Sequence, residues 1–116
     1  TGTTVSLYLC IFIDTIEAQG LDMGSYSEFN AFRTKLLQVK AYSRTPYSLK
    51  TLLYHSDCEG EWTSKECKKL IFELNYVREL FSHDTSENGR SILATIESLL
   101  KLARFSIKHN SPIQFQ

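Results

Sequence analysis

The chain has 116 residues, 42% hydrophobic and 12% aromatic, and its 13 Lys+Arg offset 13 Asp+Glu for a formal net charge of zero. That composition excludes intrinsic disorder, and it lacks the basic surplus from which nucleic-acid binders and polybasic membrane binders draw their affinity. The length suits a single domain over residues 1–116, able to bury about two-thirds of its unfolded surface without metal or disulfide staples.

Thr3 to Asp14 is predicted as a strand. Val5, Leu7, Leu9, Ile11 and Ile13 line one face and Tyr8, Cys10 and Phe12 the other. A strand apolar on both sides is central in its sheet or covered twice. Thr15 to Gly24 is predicted as a loop that, with Asp14, gathers the acids Asp14, Glu17 and Asp22. Ser25 with Glu28 forms a capping box. It opens a helix from Tyr26 to about Lys40, whose buried stripe is Phe29, Phe32, Leu36 and Val39, with Leu37 beside it. Arg33 flanks that stripe and either reaches solvent or pairs with an acid.

Ala41 to Ser48 reads as a polar connection and Leu49 to His55 as a second strand. Ser56 to Trp62 is too polar for core and reads as a loop. Thr63 with Glu66 makes a second capping box, opening a helix to about Phe81. Its inward positions are Cys67, Leu70, Ile71, Leu74, Val77, Leu80 and Phe81. After a turn-rich break from Ser82 to Gly89, a third helix is predicted from about Ser91 to Lys108, ended by Asn110 and Pro112. Ile113 and Phe115 alternate with Gln114 and Gln116, as in a short strand. The expected fold is α+β: a small sheet, including the N-terminal strand and a short C-terminal strand, packed with three helices. The last two helices either form a hairpin on one sheet face or cover one face each.

Cys10, Cys58 and Cys67 are an odd set in a chain that can fold without bridges, and residues 1–13 lack the features of a signal peptide. A reducing, cytoplasmic setting is expected, and a first residue other than Met points to processing or a boundary. No nucleophile elbow, Walker A loop or dinucleotide fingerprint is present. No catalytic set, cofactor or metal is expected. His55, Asp57, Cys58 and Cys67 are single ligands rather than the close pairs that structural zinc sites use.

The most unusual local feature is Asp57, Glu59 and Glu61 in alternation, followed at once by Trp62, the only tryptophan. One reading is a solvated loop whose acids favour the next helix N-terminus, with Trp62 stapling the loop to the core. The other is an acidic recognition patch with an aromatic anchor, suited to a basic protein partner. Residues 1–62 hold 5 Lys+Arg against 7 Asp+Glu, and residues 63–116 hold 8 against 6. A neutral sum can therefore conceal a sided molecule.

Three stretches together carry a resemblance. Gly24-Ser25-Tyr26-Ser27-Glu28-Phe29 with Phe32-Arg33 is the first. Asp57-Cys58-Glu59-Gly60-Glu61-Trp62, followed by Thr63-Ser64-Lys65-Glu66-Cys67, is the second and most specific. The third is a long helix closed by Pro112-Ile113-Gln114-Phe115. In this order the chain resembles a family of small bacterial immunity proteins from polymorphic-toxin and contact-dependent growth inhibition systems, the one catalogued as immunity protein seventy. The resemblance implies a non-enzymatic cytoplasmic α+β protein that binds the C-terminal domain of a cognate toxin, often a nuclease, and neutralises it by direct contact. The matched positions Gly24, Ser25, Tyr26, Phe29, Phe32, Arg33, Cys58, Gly60, Glu61, Trp62 and Cys67 read mostly as scaffold. The resemblance carries over no binding residue; the expected contacts come from the acidic loops, Asp57, Glu59, Glu61 and Trp62, with Asp14, Glu17 and Asp22 as a second acidic edge. The alternatives are a non-catalytic adaptor, or a small enzyme or metal-binding protein using His55 and Cys58.

Overall fold

A computed structural model describes residues 6–43, 50–53 and 60–116. Strand β1 (Ser6–Ile13) turns at Asp14 and Thr15 into β2 (Ile16–Ser25), with both turn residues in the left-handed region at φ 51° and 68°. That geometry matches the twist of a two-residue hairpin. The segment expected to be a loop is thus a ten-residue strand. Its polarity comes from a solvent-facing side carrying Glu17, Gly20 and Asp22, and two register shifts against β1 break the alternation that would have revealed it.

Helix α1 (Tyr26–Ser43) follows directly, and the Glu28 N–H donates to Ser25 Oγ at 3.1 Å. Phe29 and Leu36 are buried, Phe32 is half-buried and Leu37 is exposed. Arg33 is half-buried and makes contacts of another kind than expected: its guanidinium lies 4.6 Å from the centre of the Phe29 ring and donates to the amide oxygen Asn30 Oδ1. The expected second strand is instead a one-turn helix, α2 (Lys50–Leu53). The Glu73 carboxylate, 7% exposed, accepts from the Leu52 N–H at 3.2 Å and ties this turn to the next long helix. Tyr54, His55, Asp57, Cys58, Glu59, most of the 41–48 connection and Val5 lie outside the described residues.

Glu61 and Trp62 are strand β3, not loop, and Thr63 caps α3 (Ser64–Phe81) with the full reciprocal box. Helix α4 runs Glu87–His109, starting four residues earlier than its apolar stripe indicates, because Ser86 caps it through the Gly89 N–H. Asp84 supports that cap, accepting from the Ser86 N–H and hydroxyl, and these bonds lower its carboxyl pKa below the ordinary aspartate value. A lowered folded-state pKa stabilises the fold above the unfolded value and the contribution is lost as pH falls below about 4. Asp84→Asn should therefore flatten the acid limb of a stability-versus-pH curve, checked by urea unfolding at stepped pH. An unchanged limb would refute the linkage.

Asn110 ends α4 in the left-handed conformation, as expected, and β4 (Ile113–Phe115) completes the sheet. The four strands are antiparallel in the order β2-β1-β4-β3. Leu7, Leu9 and Ile11 join Trp62, Ile113 and Phe115 in one core cluster with residues of all the helices, while Tyr8, Cys10 and Phe12 are not part of it. All described helices therefore pack on one face of the sheet, a two-layer α+β fold in which α3 and α4 form a hairpin joined by the Arg78–Glu97 ion pair at 3.1 Å.

Candidate partner-binding face

Strand pairing decides which residues look outward together. In an antiparallel sheet, directly paired residues point to the same face. The pairs Tyr8–Asp22, Cys10–Gly20, Phe12–Glu17, Cys10–Gln114 and Glu61–Gln114 place all of these residues on the face away from the helices. Gly20, Cys10, Gln114 and Glu61 form one lateral row across the sheet. Glu61 thus stands three strands from Gly20, about 14 Å away.

Two acidic groups that are 39 positions apart in the chain, Glu61 and Asp22, therefore share one surface, with Glu17 beside the latter. All three are exposed, and so is Asp14 at the hairpin tip. The described residues of this face include no Lys or Arg. Bases sit on the helical layer, where exposed Lys65, Lys68, Lys69, Arg90, Arg104 and Lys108 mix with acids. The sidedness left open by the charge count is real for the described part of the molecule.

Tyr8 and Phe12 supply the apolar content of the face, both half-buried. Tyr8 lies across the β2 backbone at Gly20, where an added Cβ would meet its ring and hydroxyl, and donates to Glu17 Oε2 at 2.9 Å. That hydrogen bond, ahead of burial and nearby acids, raises the phenol pKa. Near the tip, Ile16 is 71% exposed.

Trp62 cannot be a surface anchor. It is 0% exposed, donates its indole N–H to the Thr51 carbonyl at 3.0 Å, and packs edge-on to Phe115 at 4.8 Å between ring centres. It staples the β3 segment to the core, the structural role of the two proposed for it. Tyr8 and Phe12 are the aromatic residues the sequence reading missed as surface candidates. The signal was their even spacing on a strand whose odd positions suffice for a core.

Cys10 and Cys67 are buried free thiols, and burial chiefly pushes both pKa values up. They stay protonated at neutral pH and are poor nucleophiles. Among the described residues, no group of three His, Cys, Asp or Glu side chains is placed to hold a metal, and no helix is long and apolar enough to cross a membrane. His55 and Cys58 lie outside the described residues. Comparison with protein-family models, curated proteins and solved structures gives no match.

Proposed function

We propose that this chain is an immunity protein that binds a cognate bacterial toxin domain, one that carries a basic surface such as a nuclease, and neutralises it by contact in the cytoplasm. The observation that carries the reading is the acidic face of the sheet: exposed Glu17, Asp22 and Glu61 around half-buried Tyr8 and Phe12. Acids on a rigid sheet steer a cationic partner into encounter and fix its register, while the aromatic surface supplies area to bury. The sequence resemblance adds the class of partner. An inhibitor of this kind needs no chemistry of its own, only a surface that occludes the toxin or holds it inactive.

The test uses the toxin domain encoded next to this gene. Converting Glu17, Asp22 and Glu61 together to Lys should weaken its binding at least about tenfold and flatten the salt dependence of association. Unchanged affinity and unchanged salt dependence would reject the face as the interface. A tight complex with no loss of toxin activity would identify an adaptor instead.

A further inference from the structure

The outer edge of β2 is open: among the described residues, β2 pairs only with β1. Which of its backbone groups face outward follows from the far side of β1. The Tyr8 N–H and C=O both bond Gln116, at 3.0 and 2.8 Å, so they point toward β4. Along a strand these directions alternate, so Leu9 and Ile11 bond toward β2, to their partners Leu21 and Gln19. The intervening residues Gly20 and Asp22 then turn their N–H and C=O away from β1, out of the sheet. They lie in the regular stretch between the two register shifts, Gln19 to Asp22, where the ladder to β1 is unbroken.

A second feature sits beside that edge. On the helical side of β2, a trough runs along α4. One cleft of about 480 Å³ is lined by Leu21, Met23, Ala94, Thr95 and Ser98 among others, and a second of about 390 Å³ shares Met23 and Thr95 and continues to Phe32. Small α4 residues leave room where the inward side chains of an added strand would fall. On the opposite side the same strand would run past Glu17 and Asp22.

We propose that β2 is a strand-addition site whose occupant is an extended segment of the partner, with Lys or Arg at alternate positions and small uncharged residues between them. The bases would face Glu17 and Asp22, and the small residues would enter the trough. A second copy of this chain offers no such complement: pairing β2 with itself about Asp22 sets the two Asp22 side chains directly opposite, and any self-pairing lays acids of one copy along acids of the other, with no Lys or Arg in β2 to offset them. This inference rests on the proposed function for the nature of the partner but not for the edge itself.

The probe is a short synthetic peptide that alternates Lys with Val or Thr, added to the full chain and followed by amide NMR. Binding should move the Gly20 and Asp22 amides and slow their hydrogen exchange, while a peptide with Glu in place of Lys should fail to do so. Asp22→Asn removes the charge and keeps the edge donor, whereas Asp22→Pro removes both. The Pro variant should therefore bind about fivefold more weakly than the Asn variant. Helical circular dichroism and Trp62 fluorescence confirm that both remain folded, and the amide readout on the unmodified chain needs no variant. Peptide binding that leaves the Gly20 and Asp22 amides unmoved, equal affinity of the two variants, or dimerisation of the chain through β2 would each overturn the inference. Edge binding without protection of cells against the neighbouring toxin would refute the immunity reading alone. A toxin complex in which those two amides stay unprotected would refute strand addition alone.

Discussion

Trp62→Ala is expected to lower stability by about 3–5 kcal/mol, the range for removing a fully buried large aromatic. Three separate things are lost. The edge-on contact with Phe115 disappears, and with it the link to Phe29, whose ring lies 6.4 Å from that of Phe115. The Thr51 carbonyl loses its indole donor. The two-residue strand β3, whose described ladder is only Glu61–Gln114 and Trp62–Ile113, loses the side chain that fastens it. Against a total stability of about 5–15 kcal/mol for a domain of this kind, that is a large fraction. Because Trp62 is the only tryptophan, the variant has to be followed in urea by far-ultraviolet circular dichroism rather than fluorescence. A loss below about 1 kcal/mol would mean that Trp62 is not the staple. Trp62→Phe should lie between, since it keeps ring packing but leaves the Thr51 carbonyl without its donor.

Glu73→Ala is the second, at about 1–3 kcal/mol, the cost of leaving a buried backbone donor unsatisfied. A one-turn helix has too few internal hydrogen bonds to hold itself. The Glu73 carboxylate takes the place of the missing partner at Leu52, and Leu52 itself is fully buried. Glu73→Gln keeps an acceptor of the same reach and should recover most of the loss. Equal destabilisation by both substitutions in chemical unfolding would show that packing, not the hydrogen bond, is what matters at this position.

Helices α3 and α4 were legible because their sequences carry an apolar stripe at three-and-four spacing together with a residue that marks one end, Thr63 for α3 and Asn110 for α4. Thr63 with Glu66 and the left-handed Asn110 behave as their chemistry demands. The start of α4 was missed because Glu87 to Arg90 contribute no large apolar residue, so only the Ser86 cap marks the boundary. Strand β2 was missed for a different reason. Its turn uses Asp14-Thr15 rather than a Gly-containing pair, its inner face is only partly apolar, and an extra residue at each register shift breaks the period of two. Of the expected strand Leu49 to His55, the described part Lys50–Leu53 is helical, and four helical residues are too few to show a helical period. Of the candidate site, the acids were visible but their arrangement was not. Glu61 joins Glu17 and Asp22 only through the register of three separate strand pairs, information that belongs to tertiary structure. Trp62 was ambiguous because a tryptophan beside acids looks the same in sequence whether it faces the core or a partner.

The position of β4 has a kinetic consequence. The last strand in the chain lies in the middle of the sheet, between the first strand and β3, and the Leu9–Phe115 pair spans nearly the whole sequence. The β1–β2 hairpin and the α3–α4 hairpin are both local and can form early. Neither can dock the other sheet half until residues 113–115 insert, and closing so long a loop carries a high entropic cost. A ribosome-bound chain would therefore expose the inner faces of Leu9 and Trp62 until residues 113–115 emerged, so acquisition of the fold waits on that short segment.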